Sequence, residues 1–235
     1  LIRDSNVVLR GQAAKASAIR TFAENLALFS GTLADSDANL RRMVQEQEDV
    51  FYYITLMNEN YPHPGMPEGA RDGILKGMYK LLDGGPAGAK APRVQLLGSG
   101  TILREVMAAA ELLKKDWSVA SDVWSCPSFN ELRRDGMAAA RWNLLHPTEK
   151  PRLSHVEQCL GPTQGPVVAS TDYVRTFADQ IREYVPRRYK VPGTDGFGRS
   201  DSRENLRRFF EVNRFHVTVA ALKAPAEDGE VPPAK

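Results

Sequence analysis

The sequence predicts an α/β fold, with a mainly parallel sheet carrying helices on both faces. Two observations support this. Short continuous apolar runs alternate with longer segments whose apolar residues recur at helical spacing. Glycines or capping residues stand at the junctions, as a strand, turn and helix unit requires. No internal repeat of fixed period is found.

Residues 1–45 read as helical and amphipathic, with Ala13, Ala16, Ile19, Phe22, Leu26 and Phe29 on one stripe and Ser30-Gly31 as a stop. A second short helix is expected from Ala38 to Gln47. The period then changes at Phe51–Met57, a β-branched and aromatic run suited to a strand covered on both faces. Two prolines and a glycine between Asn58 and Gly65 make the best linker. The main domain is therefore drawn over 66–223. Pro67-Glu68 fits the first turn of a short helix, where the missing proline amide would be an orphan in any case.

A strand is expected within Gly77–Leu82, then a flexible loop over Gly84–Gly88, then the strand Arg93–Leu97 closed by Gly98-Ser99-Gly100. Ile102, Val106, Ala109, Ala110 and Leu113 form the next helical stripe. The unit repeats. Val119–Ser125 is a strand, Ser128 and Glu131 suggest a capping box, and a helix runs to about Trp142. His146–Gly165 reads as irregular. Val167–Ala169 is a strand, Ser170 or Thr171 is the expected cap of a helix carrying Tyr173, Phe177, Ile181 and Tyr184, and Tyr189–Val191 is a further strand. Asp201 and Glu204 are read as another capping box. A last helix covers Val217–Lys223, and the polar tail 224–235 is expected to fray.

Composition excludes several classes of function. The 235 residues carry 31 Lys+Arg and 29 Asp+Glu, a net charge of +2, with 42% hydrophobic and 26% charged residues. Such balance gives no general case for nucleic acid, and the composition is not that of a disordered or collagenous chain. The longest apolar run, Val106–Leu113, is short for a membrane span and contains Glu111. Two widely spaced cysteines, Cys126 and Cys159, suit a reduced, cytoplasmic protein rather than a secreted disulfide framework. The chain starts at Leu1 without an initiator Met, which leads us to expect part of a longer or processed product.

Two segments carry candidate site residues. Gly98, Ser99 and Gly100 follow a strand and precede a helix, as in a phosphate-binding turn, but position 103 is Leu where the dinucleotide fingerprint needs a third glycine. A tight turn accounts for these glycines without a ligand, whereas an anion held by the helix amides accounts for them with one. The loop from Gly193 brings Asp195, Gly196, Gly198, Arg199, Asp201 and Arg203 to a helix N-terminus. It can serve as an anion or subunit contact, or as a capped turn with Arg199 and Arg203 paired to Asp195 and Asp201. His63, His146, His155 and His216 are scattered without metal-ligand spacing, and there is no Gly-x-Ser-x-Gly elbow. From these residues alone no catalytic, cofactor or metal position is assigned, and a stand-alone module binding an anion or nucleotide remains open.

The stretches FYYITLMNENYPHPGMPEGARDGILKGMYKL, VQLLGSGTILREV, SDVWSCPSFNELRRDG, RWNLLHP and VASTDYVRTFADQIREYVPRRYKVPGTDGFGRSDSRENLRRFFEVN resemble the carboxyl-terminal region of the homodimeric bacterial pyruvate dehydrogenases. The resemblance runs from about Leu40 to Lys223. It implies a transketolase-like subunit whose third domain is a three-layer α/β/α structure with a mixed, mainly parallel sheet. By this resemblance, 46–65 is the end of the pyrimidine-side domain with its linker, 66–223 is the transketolase C-terminal-like domain, and 1–45 does not match. The full enzyme would use thiamine diphosphate and Mg2+, decarboxylate pyruvate, and acetylate the lipoyl group of dihydrolipoyl acetyltransferase, with a second copy of the subunit as partner. The family's Gly-Asp-Gly…Asn motif is absent from this sequence, so no cofactor or catalytic role is carried onto any residue here.

Overall fold

The computed structural model describes residues 61–62, 64–85 and 92–227, the last three of these by backbone only. The chain divides into a unit over Leu1–Asn60 and a second over Tyr61–Lys235, and the described residues lie in the second. The expected N-terminal helices and the Phe51–Met57 strand fall outside them, as do most of the Gly84–Gly88 loop and the end of the tail.

In chain order the elements are α1 (Arg71–Lys76), β1 (Tyr79–Leu82), β2 (Arg93–Gly98), α2 (Ile102–Trp117), β3 (Ala120–Ser125), α3 (Phe129–Leu145), α4 (His155–Leu160), β4 (Val167–Ser170), α5 (Arg175–Asp179), a 3-10 turn (Arg182–Tyr184), β5 (Tyr189–Lys190), α6 (Arg203–Phe209) and α7 (Arg214–Glu227). The sheet order is β1-β3-β2-β4-β5. The β3, β2, β4 and β5 neighbours pair in parallel, and only β1 runs antiparallel, against β3.

The apolar runs predict their own burial well. Every residue of β4, and all but the first of β2 and of β3, is buried, as strands covered on both faces require. Alternate side chains separate into two cores. Leu97, Trp124, Val167 and Ala169 pack with Phe129, Leu132, Val156, Leu160, Ala178 and Ile181, and so with α3, α4 and α5. Val94, Leu96, Val123 and Val168 pack on the other face with Ile102, Val106, Ala109 and Leu113 of α2 and with Val217 and Ala221 of α7. The result is helix, sheet, helix. Among the described residues no helix is long and apolar enough to cross a membrane.

Several local expectations are corrected. α1 begins at Arg71, after a turn, rather than at Pro67. Ser128 does cap α3 by accepting from the Glu131 amide, but its own amide donates to the Gly77 carbonyl, so Glu131 turns to Arg134 and no reciprocal box forms. α3 also continues to Leu145, and from Met137 onward none of its residues is buried. The stretch expected to be irregular contains α4, opened by a full box in which Glu157 accepts from the Ser154 amide at 2.7 Å and the Ser154 hydroxyl accepts from the Glu157 amide at 3.2 Å.

Neither Ser170 nor Thr171 caps a long helix. α5 is short, Val174 precedes it without a side-chain cap, and the following 3-10 turn carries Tyr184 into the domain's own core. Phe177 meets Phe129 edge to face at 5.8 Å, which leaves Tyr173 as the exposed member of that expected aromatic face. The α6 cap is Ser202, accepting from Asn205, in place of an Asp201–Glu204 box. α7 starts at Arg214, three residues earlier than Val217, and extends to Glu227.

A candidate anion cleft at the carboxyl ends of the strands

Connections leave β2 and β4 in opposite directions. β2 leads through α2 to β3, while β4 leads through α5 to β5 on the other side of the sheet. Adjacent strands whose loops diverge in this way open a crevice beyond their carboxyl ends. Of the predicted site residues Gly198, Arg199 and Arg203 line the cleft found there, while Gly98, Ser99 and Gly100 do not, although Thr101 beside them does. A cleft of about 260 Å³ is lined by Thr101, Asp172, Thr194, Arg199, Arg203 and Arg207, among others.

The first segment is shaped by packing. A Cβ on Gly98 would lie 2.8 Å from the Leu103 Cα, so the start of α2 can seat itself only over a glycine. Gly100 has φ +54°, which turns the chain into the helix. Ser99 is buried, and its hydroxyl donates to Thr171 Oγ1 at 2.9 Å, joining the β2 and β4 loops. The Thr101 hydroxyl donates to Asp172 Oδ2 at 3.3 Å across the same junction.

The second segment is held by backbone. Thr194 bridges Val174 in parallel, with its amide donating to the Tyr173 carbonyl and its carbonyl accepting from the Arg175 amide. Gly196 has φ +79°, while Gly193 and Gly198 do not take positive values. Asp195 pairs with Arg175 at 3.2 Å, not with the arginines expected, and does not line the cleft. Arg199 lies 4.1 Å over the Phe209 ring. Asp201 accepts from the Ser202 amide and from Asn205 Nδ2. These hydrogen bonds hold its carboxyl below the usual range, with a smaller contribution from Arg199 and Arg208. Asp201 also lines a larger adjoining cavity with Arg199, Ser200, Asn205, Arg208 and Phe209.

Four polar residues of the cleft lie outside the predicted set: Thr101, Asp172, Thr194 and Arg207. The immediate neighbours of the glycine turn and of the β4 end were the signal that could have found the first two. Arg207 is fixed by a group that sequence reading gave no reason to single out. Glu105 of α2 is buried and accepts from the Arg214 amide at 2.9 Å, from Arg214 Nε at 3.0 Å and Nη2 at 3.1 Å, and from Arg207 Nη1 at 3.4 Å. Burial pushes the Glu105 carboxyl up, but the Arg214 bonds and the two guanidinium charges outweigh it, and the net shift is downward. Tyr61 contributes too, with its hydroxyl 3.4 Å from Arg207 Nη2 and its ring under Arg104 at 4.6 Å.

Cys126 and Cys159 are free thiols, and burial raises both. Among the described residues no three His, Cys, Asp or Glu side chains come together as a metal ligand set.

Comparison with known proteins places this geometry in context. Curated relatives include the pyruvate dehydrogenase E1 component of Cupriavidus necator, 66% identical over 192 residues, covering 82% of this chain and 21% of that protein. The counterpart from Pseudomonas aeruginosa is 61% identical over 194 residues, covering 82% and 22%. The chain thus spans only about a fifth of the length of the relatives it matches. Solved transketolases are more distant: a mutant from Pichia stipitis is 18% identical with TM-score 0.49, covering 73% of this chain and 21% of that one. The Campylobacter jejuni enzyme is 19% identical with TM-score 0.44, covering 64% and 19%. The profile of the pyruvate dehydrogenase E1 component middle domain matches residues 10–64, beginning upstream of Leu40. A second profile, the transketolase-like TK C-terminal domain, matches residues 77–213 and so takes in the whole sheet and both halves of the cleft. With more than half of its 235 residues under that profile, the chain belongs to the transketolase-like C-terminal domain family.

Proposed function

We propose that this chain is the carboxyl-terminal part of a thiamine diphosphate- and Mg2+-dependent pyruvate dehydrogenase. In that enzyme pyruvate is decarboxylated and its acetyl unit passes to the lipoyl group of dihydrolipoyl acetyltransferase. The observation that carries the reading is the 66% identity to a pyruvate dehydrogenase E1 component over 192 residues. The cofactor would supply the carbanion chemistry, and this part of the chain would supply an assembly surface between two copies of the subunit. The sequence lacks the Gly-Asp-Gly…Asn motif, which supports a reading in which no residue here touches the cofactor. Two free thiols are in keeping with a reducing, cytoplasmic setting.

A domain exchange tests this. Replacing the matching 192 residues of the Cupriavidus necator enzyme by those of this chain should leave a dimer with pyruvate-dependent lipoyl acetylation within about tenfold of the parent. A folded, dimeric exchange protein with no activity would overturn the assignment. The 235-residue chain alone, supplied with thiamine diphosphate and Mg2+, is expected to show no turnover, and measurable turnover would sink the assembly role.

A further inference from the structure

We propose that the cleft over the carboxyl ends of β2 and β4 binds a small phosphorylated molecule through Arg199 and Arg203, with Thr194 as a neutral donor. The proposal does not rest on the thiamine reading.

Charge supports the assignment. Three guanidiniums and one carboxylate, Asp172, line the cleft. Asp172 accepts from the Thr101 hydroxyl, which holds that carboxylate at the wall. Glu105 does not cancel Arg207, because Arg214 takes three of its hydrogen bonds at 2.9–3.1 Å and Arg207 reaches it only at 3.4 Å. One buried carboxylate shared by two guanidiniums leaves a net positive cluster. Asp195 is engaged with Arg175, and Asp201 is engaged at the start of α6, although its charge still faces Arg199.

Shape supports it as well. Loop divergence places the cleft where open α/β sheets leave room for a ligand, and the parallel bridge of Thr194 to Val174 fixes one wall. The planar fork of arginine matches phosphate oxygens, and the Thr194 hydroxyl can add one neutral bond. A volume of about 260 Å³ suits a phosphate with one small attached group, and is below the size of a dinucleotide site.

The test is calorimetric titration of the 235-residue chain at fixed ionic strength with inorganic phosphate and, separately, AMP. Saturable binding at one equivalent is expected, tighter for AMP if the attached sugar and base find contacts. Arg199→Met and Arg203→Met should each weaken it at least about tenfold, the effect of one lost charge-assisted pair. Silence with both probes up to about 10 mM, an affinity too weak to matter, overturns the proposal. Binding unchanged in both variants overturns it too, since the anion would then sit elsewhere. Where a Met variant melts early, Arg199→Gln and Arg203→Gln keep a polar side chain but lose the charge, and unchanged affinity in them has the same meaning.

Discussion

Gly196 is the sharpest single-residue test of the loop after β5. Its φ of +79° lies in the left-handed region, yet a Cβ built there meets nothing within 4 Å. Substitution therefore isolates backbone strain from crowding. Gly196→Val should destabilise the chain by about 1–2 kcal/mol, the left-handed penalty for a side chain, seen as a lower Tm by differential scanning fluorimetry. An unchanged Tm would show that the loop relaxes to negative φ without loss. Gly98 poses the opposite case, where the obstacle is the Leu103 Cα and any side chain must push α2 off the sheet. Arg199 differs from both: it is exposed and packs on an exposed Phe209, so Arg199→Ala should leave the unfolding free energy within about 0.5 kcal/mol of the parent, as surface changes do, with little change in Tm. Global unfolding of that variant would place Arg199 in a structural role.

At the scale of the element, α4 depends on its first turn. It has only six residues and two buried side chains, so the Ser154–Glu157 box is a large part of what holds it. Asp135 of α3 also accepts from the His155 amide, and His155 Nε2 sits 3.0 Å from the Met78 carbonyl, fastening α4 to its surroundings. Ser154→Ala should cost about 1 kcal/mol, a fall of about 2–4 °C in Tm for a chain of this size, whereas Ser202→Ala at the more exposed start of α6 should cost less. Equal losses would mean that burial does not strengthen the cap. The contrast also shows what was legible. Ser-x-x-Glu occurs at 128–131 and again at 154–157, but only the first is read as a cap, since the second lies in the stretch read as irregular, and the pattern does not say which is complete. Completion depends on whether the serine amide already has a partner, and at Ser128 the Gly77 carbonyl supplies one from 51 residues upstream, beyond the reach of local pattern.

At the scale of the whole molecule, strand existence and order of elements were readable because period and burial agree in a parallel sheet. Helix ends were not, since α5 yields to a 3-10 turn once Tyr184 is drawn into the core against Gly136. The cleft was half legible. Both glycine-bearing loops could be named, but only topology shows that they face one another. Buried carboxylates set the acid response of the whole. Asp122 is pushed up by burial, yet the Gly84 amide, Gln95, Arg93 and Lys80 hold it below the ordinary range, as Arg214 and Arg207 do for Glu105. With folded values depressed, this stability is fully present above the unfolded values near 4 and is lost as pH falls through the folded ones. Thermal melts should show Tm dropping between about pH 5 and pH 3, and Asp122→Asn should lower Tm at pH 7 while flattening that acid slope. Parallel slopes in parent and variant would remove Asp122 as a cause.

The order β1-β3-β2-β4-β5 also governs how the chain can assemble in time. β2 can pair early with β3, but its other edge waits for β4, and the Ser99–Thr171 bond closes only across 72 residues. Glu105 finds Arg214 across 109. Such distant closures are the slow part of folding. The centre of the sheet therefore keeps an open hydrogen-bonding edge during synthesis until β4 has emerged, and the cleft cannot exist before Val212 has been added.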